Sequence, residues 1–431
     1  MSAVADVSKG SHRYRVLLLS LALLVGLQSV AQAWSWSPLA VAFAGAVVMA
    51  TMLWRVYDRL LAFGIGVALM LLAIVGGLAV SSSFSTAISG SPFHAPFYVY
   101  FSATVLRQVL GAKQVTEDTV LGSACAYLLV SLAFASAYEA VESFSPGAIA
   151  GLVREGGGTI FAQLSYFSLV TLTTLGYGDL APVHPFCQSL AILETVIGAM
   201  FPALIVARII AVQSSSGDSP FSHPEPELSR EGIVARALFF FLPTAVLALP
   251  WLERSALGSF AVSAILTALM ITGVYFVTGR RSVLVVGVGM ALAAEGLRVV
   301  GPELLELAIG IEVLLIAGVV VGMSRWCLQQ QQVTTSVVLA AVCLYWLIGL
   351  GFSGVFQMIE RVSPGTLEPD GPGVVGDLIY YSYMTLTTTG YGDFVPVNDL
   401  TRLLASIEAF VGVFYPAIVI ARLVSLYGAR E

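Results

Sequence analysis

Two six-residue stretches, Thr-Leu-Gly-Tyr-Gly-Asp at 174–179 and Thr-Thr-Gly-Tyr-Gly-Asp at 388–393, decide the fold of this chain. They lie 214 residues apart (388 − 174), and the similarity continues beyond them at the same offset. The matched pairs are Pro182/Pro396, Glu194/Glu408, Gly198/Gly412, Phe201/Tyr415, Pro202/Pro416, Ala203/Ala417, Ala207/Ala421 and Arg208/Arg422. Before the motif, Ser145-Pro146-Gly147 matches Ser363-Pro364-Gly365 at an offset of 218. The chain therefore contains an internal duplication.

The composition places the chain in a lipid bilayer. Of its 431 residues, 58% are hydrophobic and only 11% are charged, and the mean hydropathy is +0.90. The charges cluster between long apolar runs, as they do in a polytopic membrane protein. The four cysteines are far apart and predict neither a disulfide framework nor a zinc site. No basic patch indicates nucleic acid as a partner.

Apolar runs long enough to cross a hydrocarbon core of about 30 Å recur along both halves of the chain. The predicted spans are 14–34, 38–56, 60–82, 96–111, 118–142, 185–213, 233–251, 256–278, 282–300, 303–325, 333–358 and 398–426. The segment 96–111 is short and polar, and we include it because its counterpart 303–325 is clearly apolar. A signal peptide at 16–33 is the alternative to a first span. The predicted fold is an all-α polytopic membrane protein with two repeats of about six transmembrane helices.

These runs divide the chain into two matched halves. The predicted segments are an N-terminus at 1–13, a first non-pore helical bundle at 14–116, a first pore domain at 117–213, a linker at 214–232, a second non-pore bundle at 233–331, a second pore domain at 332–426 and a tail at 427–431. The linker is rich in serine and proline, which is typical of a segment between domains.

The distribution of Lys and Arg predicts the orientation. With six spans in each repeat, the short basic loops all fall on one side of the membrane, and the positive-inside rule makes that side cytoplasmic. The basic residues concerned are Arg13, Arg15, Arg55, Arg59, Lys113, Arg230, Arg236, Arg280, Arg281 and Arg325. We expect both termini and the linker in the cytoplasm and both glycine motifs outside. Compact loops favour a prokaryotic plasma membrane.

The motif itself has a backbone chemistry. Glycines at alternate positions, Gly176, Gly178, Gly390 and Gly392, permit dihedral angles that a β-carbon forbids. An extended stack of carbonyl oxygens can then replace the water of a dehydrated cation, and Thr174 and Thr388 add hydroxyl oxygens at one end. The preceding segments, 160–173 and 374–387, are too short to span and suit re-entrant helices whose C-terminal ends favour a cation.

The order of outer helix, short helix, T-x-G-Y-G-D and inner helix resembles the potassium channel family in a tandem-pore arrangement, each repeat holding a re-entrant pore helix and a filter loop. The resemblance implies a K⁺-binding selectivity filter, an outer mouth of acids and a gating hinge on each inner helix. The filter residues are Thr174, Leu175, Gly176, Tyr177, Gly178, Thr388, Thr389, Gly390, Tyr391 and Gly392; the mouth residues are Asp179 and Asp393; the hinge residues are Gly198, Gly412, Pro202 and Pro416.

The chain departs from part of the family pattern. Val170 and Met384 stand where some members have an acid that braces the mouth aspartate, so we expect Tyr166 and Tyr380 hydroxyls to support the filter instead. The first repeat has only Arg107 in its fourth predicted span, and the second has acids there, including Glu306 and Glu312. Voltage sensing by an arginine ladder is therefore not expected. We interpret those acids as exposed or paired structural groups; the alternative is that Glu306 and Glu312 line a site in the second non-pore bundle.

The inner-helix acids Glu194 and Glu408 have three alternative roles. Either they concentrate cations in the cavity, or they hydrogen-bond the back of the filter, or they are structural acids paired with a hydroxyl. Pro202 and Pro416 are either gate hinges or passive kinks.

A pore of this type needs four filter loops around one axis, and each chain carries two. A homodimer is the simplest assembly. We expect K⁺ as the permeant ion, no cofactor and no enzymatic activity. The alternatives are a weakly selective cation channel, a membrane sensor with a secondary pore, and an ion-coupled potassium transporter, although two intact Gly-Tyr-Gly triplets argue against a transporter.

Overall fold

The computed structural model describes most of the chain. The described residues are 13–33, 60–80, 94–112, 116–153, 160–214, 230–252, 265, 267–268, 271–275, 281–330, 334–368 and 375–428. Predicted span 38–56 lies outside them, as does most of the predicted linker. Predicted span 256–278 is described only in part, and those parts are helical.

Helices occupy the other predicted spans and both predicted short segments. They are α1 (Arg13–Ala33), α2 (Leu60–Val80), α3 (Ala95–Leu110), α4 (Glu117–Phe144), α5 (Ile160–Leu172), α6 (Pro185–Ser214), α7 (Arg230–Leu252), α8 (Arg281–Val300), α9 (Leu305–Gln329), α10 (Thr335–Val362), α11 (Val375–Leu386) and α12 (Asp399–Gly428). A single 3₁₀ turn, Pro302–Leu304, precedes α9.

The helices make this a multi-pass membrane protein. Within the described part of the chain, five helices are long and apolar enough to cross a bilayer: α4, α6, α9, α10 and α12. Helix α3 has 16 residues. At a rise of about 1.5 Å per residue it is about 24 Å long, less than the hydrocarbon thickness. Its role as a complete span therefore remains a prediction.

The two long outer helices, α4 and α10, begin and end in the same way. The side chain of Thr116 accepts a hydrogen bond from the backbone of Thr119, and Thr334 caps α10 equivalently. At the C-terminal ends, Glu142 accepts backbone N–H groups from the turn at Gly147, and Glu360 does the same at Gly365. The duplication thus extends to the caps.

A short antiparallel clip follows each outer helix. Strand β1 (Ile149–Ala150) pairs with β2 (Ala181–Pro182), and β3 (Leu367–Glu368) pairs with β4 (Val395–Pro396). Each clip joins the loop before the short helix to the residues after the glycine motif. These strands were not predicted, because two residues are too few to show an alternating pattern.

The described residues form two compact units. The first contains α1 to α5, the residues up to Thr173 and 179–187. In it, α4 packs against α1, α3 and α5. Aromatic contacts fill its interior: Phe97 stacks on Phe101, and Tyr138 meets Phe167 edge to face at 4.9 Å. Such rings stabilise the helix contacts in a bilayer through van der Waals packing, since lipid tails are as apolar as the rings.

The second unit contains 174–178 and everything from Gln188 onward. Helix α10 is central and packs against α7, α9 and α11, while α12 packs against α11. The non-pore helices α8 and α9 are joined by a buried ion pair between Arg298 and Glu312, whereas Glu306 is exposed. Glu312 is thus paired and Glu306 exposed, as expected, and their structural role stays a prediction.

Candidate functional site

Both glycine motifs have the same unusual backbone. In the first, φ is +57° at Thr174, +54° at Gly176 and +77° at Gly178. The equivalent angles in the second, at 388, 390 and 392, are +58°, +53° and +79°. Alternation between left-handed and ordinary dihedrals turns successive peptide groups the same way, so a row of carbonyl oxygens can face one side. The glycine conformations were predicted; those of the two threonines were not.

The two motifs lie beside each other in the second unit. A β-carbon on Gly176 would overlap the carbonyl oxygen of Thr389, and one on Gly178 would overlap that of Tyr391. Thr389 and Tyr391 are buried. Glycine is thus required at 176 and 178 by a close backbone approach as well as by φ.

The equivalent side of the second motif is open. Within the described part of the chain, and apart from the glycine and its two chain neighbours, no atom lies within 4 Å of a β-carbon built on Gly390 or Gly392. On the first motif, Leu175 and Tyr177 are 51% and 66% exposed. Tyr177 is therefore not packed behind the motif within one chain, whereas Tyr391 is buried.

Each short helix is held by its outer helix through matched hydrogen bonds. Tyr127 donates to the carbonyl of Leu172 at the end of α5 (2.7 Å), and Tyr345 donates to that of Leu386 at the end of α11 (3.3 Å). These carbonyls precede the motif directly. Sequence reasoning missed both tyrosines, although they match at the offset of 218 and could have been found by extending the alignment.

A second matched pair of bonds lies one turn earlier. Ser168 donates to the carbonyl of Ser131 (2.6 Å), and Ser382 donates to the carbonyl of Gly349 (2.7 Å). All four residues belong to buried or half-buried parts of the helix contact. The position of each short helix against its outer helix is therefore fixed by buried hydrogen bonds, which are costly to break.

The motif aspartate of the second repeat is supported by a tyrosine. Tyr380 is fully buried and donates its hydroxyl to Asp393 Oδ2 at 2.7 Å. Burial raises the pKa of the Asp393 carboxyl above its ordinary value, and the bond from Tyr380 opposes that rise. The predicted Tyr380 contact is present. In the first repeat Tyr166 is 41% exposed and Asp179 is exposed.

The inner-helix acids are both fully buried. Glu408 Oε1 lies 2.5 Å from the hydroxyl oxygen of Ser382, which also lies 2.7 Å from the carbonyl of Gly349. One hydroxyl hydrogen cannot satisfy both acceptors, so the arrangement is complete when Glu408 is a neutral acid that donates to Ser382. For Glu408 the structure favours a pairing with the short helix over an exposed charge. Glu194 is equally buried.

The inner-helix glycine of the second repeat lies at a close helix contact. A β-carbon on Gly412 would overlap the carbonyl oxygen of Leu386, where α11 ends. Helix α12 continues without interruption through Gly412 and Pro416, and α6 continues through Gly198 and Pro202. Gly412 therefore has a packing role, and bending at these four positions remains a prediction.

Each half of the chain has an outer helix, a short helix, a glycine motif with alternating left-handed residues and an inner helix. This arrangement is typical of a pore-forming membrane protein. The ion channel family model matches residues 124–214 and 333–428, which include both motifs. This chain belongs to the ion channel family. As the sequence predicts, it is a channel and not an enzyme.

Several curated proteins are similar to parts of the chain. Protein LctB of Bacillus caldotenax is 33% identical over 101 residues, which cover 23% of this chain and 70% of that protein. Protein LctB of Geobacillus stearothermophilus is 32% identical over 82 residues, covering 17% of this chain and 60% of that protein. Two pore potassium channel a of Oryza sativa subsp. japonica is 44% identical over 46 residues, covering 11% and 13% respectively. No solved structure matches the chain.

Proposed function

We propose that this chain is a potassium-selective channel subunit that conducts K⁺ passively. The observation that carries the proposal is the matched left-handed alternation at Thr174, Gly176 and Gly178 and at 388, 390 and 392. A stack of neutral carbonyl oxygens replaces the hydration shell of K⁺ without binding it as strongly as carboxylates would. The similarity to a two pore potassium channel over 46 residues supports the choice of ion.

The short helices act as re-entrant pore helices. With 13 residues in α5 and 12 in α11, they are too short to span the bilayer. Their C-terminal ends carry partial negative charge toward the start of each filter, which favours a cation there. Thr174 and Thr388 add hydroxyl ligands, and K⁺ moves between adjacent sites by mutual repulsion.

The working pore is a homodimer with four filter segments. One chain supplies two neighbouring segments, and the open side at Gly390 and Gly392 marks where the ring is incomplete. A second copy placed by two-fold symmetry would bring its own Leu175 and Tyr177, both exposed in one chain, to that side. The closed ring alternates first and second repeats.

The membrane arrangement follows the sequence expectation of twelve spans with both termini in the cytoplasm. Asp179 and Asp393 then stand at the outer mouth, where their charge attracts cations. Gating bends the inner helices near Gly198 and Gly412 or acts at the filter itself. The lipid bilayer and the second copy are the proposed partners, and no cofactor besides the permeant ion is required.

A weakly selective cation channel is the second candidate. It is favoured by the apolar Val170 and Met384, which stand where some potassium channels have an acid that braces the mouth aspartate. A filter that widens loses its preference for K⁺.

Flux from proteoliposomes tests the proposal. Purified protein should pass K⁺ at least tenfold faster than Na⁺, and Gly390→Ala should abolish the K⁺ flux because alanine is strained at φ +53°. Gly296→Ala, at an exposed helical glycine with no atom nearby, is the control and should leave the flux unchanged. Equal Na⁺ and K⁺ rates would favour the weakly selective channel, and unchanged flux in Gly390→Ala would exclude the filter.

A further inference from the structure

The two inner helices are related by the duplication but differ in how much of them the chain covers. In an apolar 18-residue stretch of each helix, 61% of the residues are buried on α6 and only 11% on α12. Residues at an offset of 214 occupy equivalent places in the two repeats, so the same surface is covered on one helix and bare on the other.

The difference follows one face of the helix. Besides Gln188/Arg402, five matched positions are buried on α6 and exposed on α12. These five recur at spacings of three and four residues, which places them in one stripe. The pairs are Ser189/Leu403, Ile192/Ser406, Val196/Phe410, Met200/Phe414 and Ala203/Ala417. We name Leu403, Ser406, Phe410, Phe414 and Ala417 the α12 stripe.

On the side of α12 opposite the stripe, two matched positions, Glu408 and Gly412, are buried as on α6. Glu408 and its equivalent Glu194 are both fully buried, and Gly412 lies against the end of α11. Helix α12 is thus docked on its own pore helix through the side opposite the α12 stripe.

One contact of this stripe on α6 is with the second repeat. Ser189, at its start, donates a hydrogen bond to the carbonyl of Val246 on α7, 3.2 Å away. Helix α7 is the first helix of the second repeat, so in one chain the inner helix of one repeat contacts the first helix of the other. The equivalent contact for α12 requires the first helix of a first repeat, which is α1.

The register of α1 on α7 can be read from matched contacts. Cys125 on α4 donates to the carbonyl of Tyr14, and Cys343 on α10 donates to that of Ala235. Tyr14 and Ala235 are 221 residues apart, and at the same offset Leu17/Leu238 and Leu21/Leu242 are buried in both helices. Val246 therefore corresponds to position 25 of α1.

We infer that the α12 stripe is the contact surface for a second copy of this chain, with Leu403 beside position 25 on α1 of that copy. The inference rests on the proposed dimeric pore and adds its contact surface. Each copy has one α12 stripe and one α1. A two-fold axis that places α1 of the second copy on the stripe of the first therefore also places α1 of the first copy on the stripe of the second, so both stripes are covered. A lipid-facing stripe is the competing outcome.

Thiol crosslinking in membranes tests the contact. In a Cys327→Ala background, chosen because the other three cysteines are buried, Leu403→Cys with Val25→Cys should give a covalent dimer with a short bifunctional thiol reagent. Its yield should exceed that of either single variant at least tenfold. Ser189→Cys with Val246→Cys should crosslink within one chain and give no dimer.

A matched control uses another position on α1. Leu19 and its equivalent Phe240 are both 70% exposed, and Phe240 stays exposed although α6 is present in the same unit. Leu403→Cys with Leu19→Cys should therefore give no covalent dimer. Equal dimer yields from the two pairs would overturn the proposed register.

A second measurement covers the case in which the double variant does not fold. Phe410→Ala on the α12 stripe should lower the dimer fraction in native mass spectrometry at least fivefold, whereas Leu314→Ala, at an exposed position on α9, should not. Protein that is dimeric and conducts K⁺ but is unaffected by Phe410→Ala would show that the stripe faces lipid. Protein that is monomeric and does not conduct K⁺ would instead refute the proposed function.

Discussion

Thr174 and Thr388 hold a left-handed backbone that residues with a β-carbon rarely adopt. The conformation costs roughly 1–2 kcal/mol per residue, so it persists only where neighbouring groups enforce it. At Thr388 the backbone N–H bonds to the carbonyl of Thr385, and Thr387 bonds to Thr389 through their hydroxyls at 2.9 Å. The motif is therefore arranged before an ion arrives, and ion binding does not have to supply the ordering free energy.

Tyr380→Phe should weaken the support of the second motif. The change leaves the partly buried Asp393 carboxylate without its side-chain donor, and a hydrogen bond to a charged group contributes about 1.5–3 kcal/mol. We expect a lower melting temperature and a smaller K⁺-to-Na⁺ flux ratio. Tyr166→Phe is the matched control and should have a smaller effect, because Tyr166 is already 41% exposed. Identical losses in both variants would contradict the assignment.

Acidification on the motif side should reduce K⁺ conductance through Asp393. Burial raises the pKa of this carboxyl above the ordinary 3.8, so it takes up a proton at a higher pH than an exposed aspartate does. Tyr380 donates to this carboxyl and remains uncharged in that range, because burial raises the pKa of its hydroxyl. Protonation removes the cation-attracting charge, and conductance should fall as the pH drops through the raised value.

The comparison variant for the pH experiment is Asp393→Asn. It should show reduced conductance at neutral pH and a flattened pH profile in bilayer recordings. If Asp393→Asn kept the full pH dependence of the natural channel, another group would be responsible.

At the scale of helices and strands, most of the architecture follows from hydrophobicity, and the rest depends on contacts between distant residues. Helices such as α4 and α10 begin and end within a few residues of the prediction, because long apolar runs and their polar ends are visible locally. The clip of β1 and β2 has no such signal. The sequence singles out Gly412 through the duplication. Its close approach to the carbonyl of Leu386, however, depends on how α12 packs on α11, which the sequence does not show.

Gly412→Ala should destabilise the contact between the inner helix and the pore helix. A methyl group there meets a backbone carbonyl, and overpacking of this kind costs typically about 1–3 kcal/mol. We expect a lower melting temperature in detergent. Gly296→Ala, on the exposed side of α8, should raise stability by roughly 0.5–1 kcal/mol. An unchanged melting temperature with altered open probability would mean that Gly412 serves as a hinge alone.

The bond between α12 and α11 predicts a difference between two replacements of Glu408. Gln keeps a neutral donor within reach of Ser382, so Glu408→Gln should retain K⁺ flux. Glu408→Ala removes the donor and leaves a cavity, which should cost about 1–3 kcal/mol in stability and reduce flux. Flux assays combined with thermal unfolding check both. Loss of flux in Glu408→Gln alone, with stability intact, would show that a negative charge is needed.

At the scale of the whole molecule, the duplication supplies two similar but unequal halves. The filters differ at Leu175 and Thr389, and support by a buried tyrosine is seen at Asp393, whereas Asp179 is exposed. A dimer of such chains has two-fold symmetry, and any single substitution enters the pore twice, on opposite sides. The number of chains in a pore can therefore be counted from the effect of mixing active and inactive copies.

Co-expression of natural and Gly390→Ala chains in equal amounts should leave about one quarter of the K⁺ flux, because random pairing leaves that share of dimers without an altered copy. A pore made by one chain would leave about one half, and one made by four chains about one sixteenth. The measurement is K⁺ flux at matched total expression, with Gly296→Ala as the co-expressed control that should leave flux unchanged. A linked dimer carrying Gly390→Ala in only one copy should be inactive, since all four filter segments line the same ion path. Residual flux near one half in the mixture would contradict the dimer even if each chain alone proved selective for K⁺.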